Sequence, residues 1–399
     1  MSDTQKHTKP NVPNLRFPGF EGKWEEHLLS DYCQKITKKN KGNILSNVLC
    51  NSANQGIIPQ SEYFDRAIAN SDNTAGYYII EHDDFVYNPR KSTAAPYGPV
   101  NVYYGSEPGI ISPLYLCFKT NGINREFLFY YFKSKAWWPY MYENGDSGVR
   151  HDRVSIKDDV FFSMPICLPS IREQNRISSL LSIIDQRIAL QNKVIERYQS
   201  LIRALIQKAK SGSTMCVQLR DILTERKELN SQCFDICSVS VSKGIVNQVE
   251  YLGRSFAAKE TSNYHVVRLG DIVYTKSPTG DFPYGIIKQS NIKSPVAVSP
   301  LYGVYEPKSF VIGKYLHYYF CSPVNTLNYL HPLIQKGAKN TINLTNQHFL
   351  DNKVSIPNKA TLETTVSAIT SLASRCDLEE DALCRYLKQK EFLLKNLFM

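Results

Sequence analysis

No stretch of the 399-residue chain approaches the ~20 consecutive apolar residues that a bilayer-spanning helix needs, so no membrane partner is expected. The opening MSDTQKHTKPN is polar and has no apolar h-region, so a secretory signal is not expected either. Ten cysteines are present, but none forms a CxxC pair. Cys233 and Cys237, and Cys376 and Cys384, lack His or Cys companions at zinc-site spacing. All ten are expected to be reduced thiols of a cytoplasmic protein. The eight histidines never fall into HxxxH or HExxH, and no glycine-rich loop ends in Gly-Lys-Ser/Thr. Metal and ATP sites are therefore not expected, and neither is a catalytic residue or a cofactor of this chain. There is no long basic tail. The net charge of +10 is spread over short clusters, which is compatible with a nucleic-acid partner without demanding one.

What is present is a repeat. SPLY at Ser112–Tyr115 returns at Ser299–Tyr302, 187 residues later. Phe85-Val86-Tyr87 matches Ile272-Val273-Tyr274 at the same offset. Tyr130-Tyr131-Phe132 matches Tyr318-Tyr319-Phe320 at 188, and Phe161, Ile166, Leu168 and Pro169 match Phe349, Val354, Ile356 and Pro357. Matches kept in order at a nearly constant offset imply a duplicated unit. Within each unit, short apolar or aromatic runs (residues 77–80, 99–104 and 296–305) predict strands, and residues 126–133 and 314–320 predict aromatic-rich helices.

Each copy ends in a proline followed by a long helical pattern. In the first, Ile177, Leu181, Ile184, Ile188, Gln191, Ile195, Tyr198, Ile202 and Leu205 form a heptad seam with one polar break. In the second, Val366, Ile369, Ala373, Cys376, Glu380, Leu383, Leu387, Lys390, Leu394 and Leu397 form a weaker one. Residues 168–210 carry eight Lys/Arg against three Asp/Glu, and residues 361–399 carry five against six, which favours pairing the helices with each other. Similar units in one chain make that pair antiparallel. The expected fold class is α+β: two duplicated globular domains separated by two long helices that form an antiparallel coiled coil. The expected boundaries are an N-terminal tail (1–20), a first domain (21–168), a first spacer helix (169–210), a second domain (211–357) and a second spacer helix (358–399).

Several letters imitate catalytic motifs. Asn88-Pro89-Arg90 and the SPLY segments lack the second proline and the glycine-rich methyl-donor site of an amino-methyltransferase; turn or strand-entry prolines explain them. Glu225-Arg226-Lys227 after Asp221 has the letters of a nuclease carboxylate–lysine set, which an exposed helix surface also produces. Trp137 and Trp138 are most simply core aromatics. What remains is recognition. Arg150, His151 and Arg153 follow Gly148 in the first copy, and Lys336, Lys339 and Asn340 flank Gly337 in the second. Arg can bind guanine bidentately and Asn can bind adenine, so both loops are candidate DNA-facing loops. Lys38, Lys39, Lys41, Arg90, Lys91 and Lys276 are candidate DNA contacts, with the first five suited to phosphates.

Residues 12–32 (VPNLRFPGFEGKWEEHLLSDY) resemble the opening of many specificity subunits of Type I restriction–modification systems. Residues 168–188 (LPSIREQNRISSLLSIIDQRI) resemble the start of that family's spacer helix, including its Glu-Gln pair at Glu173 and Gln174. Residues 386–399 (YLKQKEFLLKNLFM) resemble the end of its second. The resemblance implies two target-recognition domains, each reading half of a split, asymmetric double-stranded DNA site. It also implies that the helices set the gap and dock two methyltransferase subunits, with Glu173 and Gln174 at the docking site. S-adenosylmethionine would belong to the methyltransferase, and ATP and Mg to restriction/translocase partner subunits. After Pro357 the second helix begins NKATLETTVSAITSLASRCDLEE and lacks the Glu-Gln pair, a departure from the pattern.

Two other classes compete: a self-contained DNA methyltransferase or nuclease, and a helical adaptor that never touches DNA. Salt-sensitive binding to duplex DNA separates the adaptor, because phosphate contacts release counterions. Exchanging residues 21–168 for the matching unit of a relative is expected to change one half of the modified DNA sequence and to leave the other intact. Sequencing of modified DNA checks this, and a change in both halves together counts against two independent readers.

Overall fold

The computed structural model describes residues 11–63, 74–146, 152–249, 260–336 and 342–399. The chain divides into two compact units, the first made of residues 1–190 and 382–399 and the second of residues 191–381. Each unit thus contains part of both long helices, where five consecutive segments were expected.

The first unit contains β1 (Glu25–Leu28), β2 (Cys33–Lys35), β3 (Val48–Ser52), β4 (Gly56–Pro59), β5 (Tyr78–Ile80), β6 (Phe85–Tyr87), β7 (Val100–Val102), β8 (Gly109–Ile111), β9 (Leu116–Thr120) and β10 (Pro165–Leu168). Its helices are α1 (Gln60–Tyr63), α2 (Arg125–Lys133), α3 (Trp138–Asn144), α4 (Asp158–Phe162) and the first half of α5 (Ile171–Ser211). One sheet has the order β2-β9-β6-β7, a second β4-β3-β8-β5, and β1 pairs with β10. Side chains alternate along β6: Phe85 and Tyr87 enter the main aromatic core while Val86 enters a smaller cluster on the other face. Both faces are covered, so the strand reads as an unbroken apolar run. Asn124 caps α2 by accepting the Phe127 N–H at 2.7 Å. Trp137 is buried and donates its indole N–H to the Phe132 carbonyl.

The second unit contains β11 (Thr214–Gln218), β12 (Leu223–Glu225), β13 (Cys237–Ser240), β14 (Gly244–Asn247), β15 (His265–Val267), β16 (Ile272–Thr275), β17 (Ile286–Gln289), β18 (Val296–Val298), β19 (Gly303–Pro307), β20 (Gln335–Lys336), β21 (Ile342–Asn343) and β22 (Lys353–Pro357). Its helices are the second half of α5, α6 (Phe310–Phe320), α7 (Pro323–Leu330) and the greater part of α8 (Lys359–Leu397). The sheet order β12-β19-β16-β17 repeats that of the first unit strand for strand. Phe85 pairs with Phe118, and Ile272 with Tyr305, the same partners one repeat length on. The SPLY segments are matching turns. Ser112 accepts from the Leu114 and Tyr115 N–H groups, and Ser299 does the same for Leu301 and Tyr302. Proline presets the dihedral such a turn needs. The second turn divides residues 296–305 into two strands.

In the first unit Ile177, Leu181 and Ile184 of α5 share a core with Leu393, Leu397 and Phe398. Asp185 pairs with Lys390 at 2.5 Å, and Arg187 lies over the Tyr386 ring. Numbers rise on one helix as they fall on the other, so the two run antiparallel. In the second unit Ile206 and Ala209 of α5 share a core with Leu362, Val366 and Ile369, with Ile202 and Leu205 packed against it. Gln191, the polar break in the α5 seam, donates to the Glu379 carbonyl at 3.1 Å.

The α8 stripe departs from the expected one in its last turns. Leu387 is 50% exposed, whereas Leu393 is buried. After Leu383 the covered positions step by three to Tyr386 and then to Lys390, Leu393 and Leu397, so Leu387 lies beside the stripe, while Leu394 is partly buried against the first core. Glu380 is likewise exposed, and Glu379 takes the inward place.

Leu181→Ala, in a fully buried site, is expected to cost about 2–5 kcal/mol. Leu387→Ala is expected to change stability by no more than about 0.5 kcal/mol. Thermal and urea unfolding of both variants check the corrected stripe.

Candidate nucleic-acid interface

Asn88 leads from β6 into a short extended segment carrying Arg90 and Lys91. It is tied to the segment at Asp152 and Arg153 by an isolated Arg90–Arg153 bridge. Val154 N–H donates to the Pro89 carbonyl at 2.9 Å, and Lys91 N–H to the Asp152 carbonyl at 2.8 Å. The Arg90 guanidinium is exposed, 3.8 Å from the Asp152 carboxylate. Both arginines act on Tyr115, whose hydroxyl burial pushes up and whose anion they favour. Tyr115 lines a cleft of about 270 Å³ together with Tyr78, Pro89, Leu114 and Val154. The Lys39 ammonium lies over the Tyr78 ring. Lys39, Arg90 and Arg153 thus neighbour residues that line the cleft, whose own charged lining residues are Lys35 and Asp158.

Lys38 pairs with Glu81 at 3.5 Å, and Lys41 is exposed on the turn that follows. Asn40, fully buried, builds that turn by bonding Leu45 through both ends of its amide. In the second unit Lys276 is half-buried, and burial pushes its ammonium below the usual lysine value. Lys336 stands on β20. Arg150, His151, Lys339 and Asn340 lie outside the described residues, so Arg153 alone represents the first candidate loop.

Sequence reasoning missed a buried amide ladder beneath Arg90. The Asn88 amide donates to the Asn51 carbonyl at 2.9 Å, and its oxygen accepts the Arg90 N–H at 3.0 Å. Asn51 donates to the Val86 carbonyl and accepts from Asn101, whose oxygen accepts from Lys133. These residues come from β3, the end of β6, β7 and α2, with no sequence period to betray them. Lys133 is faced by Lys390, Asp185 and the Phe129 ring. Burial, reinforced by Lys390 and opposed by Asp185, pushes its ammonium down to about 8.

Arg226 belongs to an ion-pair network rather than a nuclease site. It holds the buried Asp271 through two bonds of 2.7 and 3.0 Å and reaches Glu306 at 3.2 Å. Among the described residues no group of three metal-ligating side chains gathers, and no helix is long and apolar enough to cross a membrane.

Glu173 and Gln174 are buried and satisfied inside the first unit. Arg16 grips Glu173 through two bonds of 2.8 Å. Gln174 accepts from the Asn124 N–H and donates to the Pro169 carbonyl. Neither side chain presents itself to a partner; they anchor the start of α5 to the Arg16 segment and to the cap of α2. The segment around Arg16 is also tied to the unit by the Leu15 N–H, which donates to the Asn396 carbonyl.

Residues 21–197 match the family model described as the Type I restriction modification DNA specificity domain. Over that span the chain is similar to the specificity subunits of Type I restriction–modification systems. Its fold is similar to the Type-I restriction-modification system S subunit from M. genitalium, at 13% identity and a TM-score of 0.58 over 97% of this chain and 99% of that one. The HsdS subunit from Thermoanaerobacter tengcongensis also matches, at 14% identity over 95% of this chain and 96% of that one, with a TM-score of 0.38 too low to argue from. No curated protein matches the chain in sequence.

Between about pH 8 and the ordinary lysine value near 10.4, an unfolded Lys133 keeps a proton that the folded one has lost. Stability is therefore expected to rise with pH across that window. Lys133→Met is expected to flatten the rise and to leave the protein no less stable at pH 7, which urea unfolding as a function of pH checks.

Proposed function

We propose that the chain is the non-catalytic sequence-reading subunit of a Type I restriction–modification complex and recognises a bipartite, asymmetric DNA site, one half-site per unit. The observation that carries this is the recurrence of one sheet order in two units of a chain whose first half matches the specificity-domain family. A duplicated scaffold with different surface residues suits two unequal half-sites. In the first unit Lys39, Arg90 and Arg153 supply cations next to residues of one cleft, phosphate contacts that position and base contacts that specify. Arg150, His151, Lys336, Lys339 and Asn340 remain candidate contacts of the two loops.

The long helices act as an antiparallel coiled coil that sets the gap and docks methyltransferase subunits. A second apolar series on α5 supports docking: Ile183, Leu190, Val194 and Leu201 are large, exposed and spaced by sevens and a four. Glu173 and Gln174 contribute by fixing the start of that helix. S-adenosylmethionine chemistry belongs to the methyltransferase partner, and ATP-driven cleavage to the restriction subunits.

The test is co-expression with the methyltransferase partner followed by genome-wide mapping of modified adenines. Two fixed half-sites around an unspecified gap are expected. Four residues inserted after Arg197 add ~6 Å of helix, or one or two base pairs at 3.4 Å each, so the gap is expected to lengthen by one or two positions with both half-sites kept. A folded, active variant with an unchanged gap places the ruler elsewhere. Methyl transfer by the chain free of partners defeats the non-catalytic assignment.

A further inference from the structure

We propose that the buried ladder Asn51–Asn88–Asn101, with Lys133 at its foot, is the positioning device that aims the Arg90–Arg153 edge at its half of the DNA site. This rests on the DNA reading above and adds which buried residues decide how the edge is presented.

The segment that carries Arg90 hangs on one side chain. Asn88 closes the turn by accepting the Arg90 N–H, and its other amide end is held by the Asn51 carbonyl on β3. An amide bonded at both ends cannot rotate without breaking one bond. Gly98 lets the neighbouring backbone pack closely on the Asn88 peptide. With φ +84° it occupies the left-handed region, and a Cβ there would stand 2.1 Å from the Asn88 carbonyl oxygen. Asn51 and Asn101 carry the constraint across the sheet to Lys133 on α2.

A lysine amine buried to the point that its ammonium is pushed down to about 8 opposes folding. Satisfied buried polar networks can rigidify and specify one arrangement where an apolar core tolerates several. That trade fits a residue retained to fix geometry rather than to add stability.

The second unit carries the same frame with a different pin. Thr275 stands one repeat length after Asn88, and its hydroxyl accepts from the Ser277 N–H at 3.3 Å as Asn88 accepts from Arg90. Gly285 repeats Gly98, with φ +95° and a Cβ that would meet the Thr275 carbonyl at 1.8 Å. At the foot the amine has changed sides: Lys288 on β17 donates to Cys321 just past α6 at 3.3 Å. The turn is kept, while its pin, its side chain and its foot all differ. That is how two readers on one scaffold are expected to diverge.

The test uses the chain co-expressed with its methyltransferase partner. For each half-site, the ratio of modification on cognate DNA to that on single-mismatch DNA is measured. The domain exchange of residues 21–168 first assigns which half-site belongs to which unit. Asn88→Ala is expected to lower the ratio at the first unit's half-site roughly fivefold or more, the scale of one lost base contact, with the other ratio unchanged. Asn88→Ser, which keeps the acceptor as Thr275 does, is expected to recover part of it. Lys133→Met is expected to lower the same ratio while keeping or raising Tm, which a merely structural residue does not do. Equal loss at both half-sites, or folded variants with wild-type ratios, overturns the inference. A wild-type complex without bipartite preference removes the DNA reading itself, and this inference with it, before any variant is compared.

Discussion

A helix of 41 residues carries more apolar stripe than one small unit can cover, and the architecture follows from covering it. Near its start α5 buries Ile177, Leu181 and Ile184 in the first core, and near its end Ile206 and Ala209 in the second. Helix α8 does the same in reverse order, giving Leu362, Val366 and Ile369 to the second core and Leu393 and Leu397 to the first. The last residues of the chain thus complete the core that holds Trp24. Isolated long helices gain little from propensity; burial of a face is what makes them persist. The Arg16 grip on Glu173 belongs to the same scheme, since it fixes the point at which α5 leaves the globular part of its unit.

Within each unit, packing repeats and polarity does not. Tyr87 stacks on Phe161 at 4.9 Å, and Tyr274 on Phe349 at 4.7 Å, the same pair one repeat on. Both tyrosines donate to a carbonyl ten residues later, at Tyr97 and Tyr284. Aromatic stacking has demanding geometry, so these positions tolerate little change. The buried polar positions have fewer constraints of shape and have diverged. Asp84 sits near Lys119 in the first unit, where Asp271 is clasped by Arg226 in the second. His317 has no basic counterpart in the first unit's helix. Burial, with Lys288 and Lys314 nearby, pushes it down to about 3, so it stays neutral and accepts the Gln289 N–H.

This division suits the proposed reading of DNA. A scaffold held by stacked rings and an apolar helix stripe can keep its form while the polar groups beneath a surface turn are exchanged. Specificity then changes without refolding, because the energy that holds the unit together and the hydrogen bonds that aim its surface reside in different residues.

Much of this was legible in the chain. The constant offset between matching segments disclosed the repeat, because the stacked aromatics and SPLY turns cannot drift without unpacking. The heptad spacing disclosed both helices, and the resemblance at residues 168–188 pointed to the family. Local patterns carry such information because period and turn chemistry act over a few residues. The rest was decided by contacts between distant segments. Leu387 had the right spacing but lost its place when the stripe stepped from Leu383 to Tyr386. Glu173 looked like a partner contact, yet its charge is taken up by Arg16, 157 residues away. The Asn51–Asn88–Asn101 ladder joins β3, the end of β6 and β7, and no spacing rule unites those three asparagines. Hydrogen bonds across a sheet depend on register, and register is set only when the strands pair.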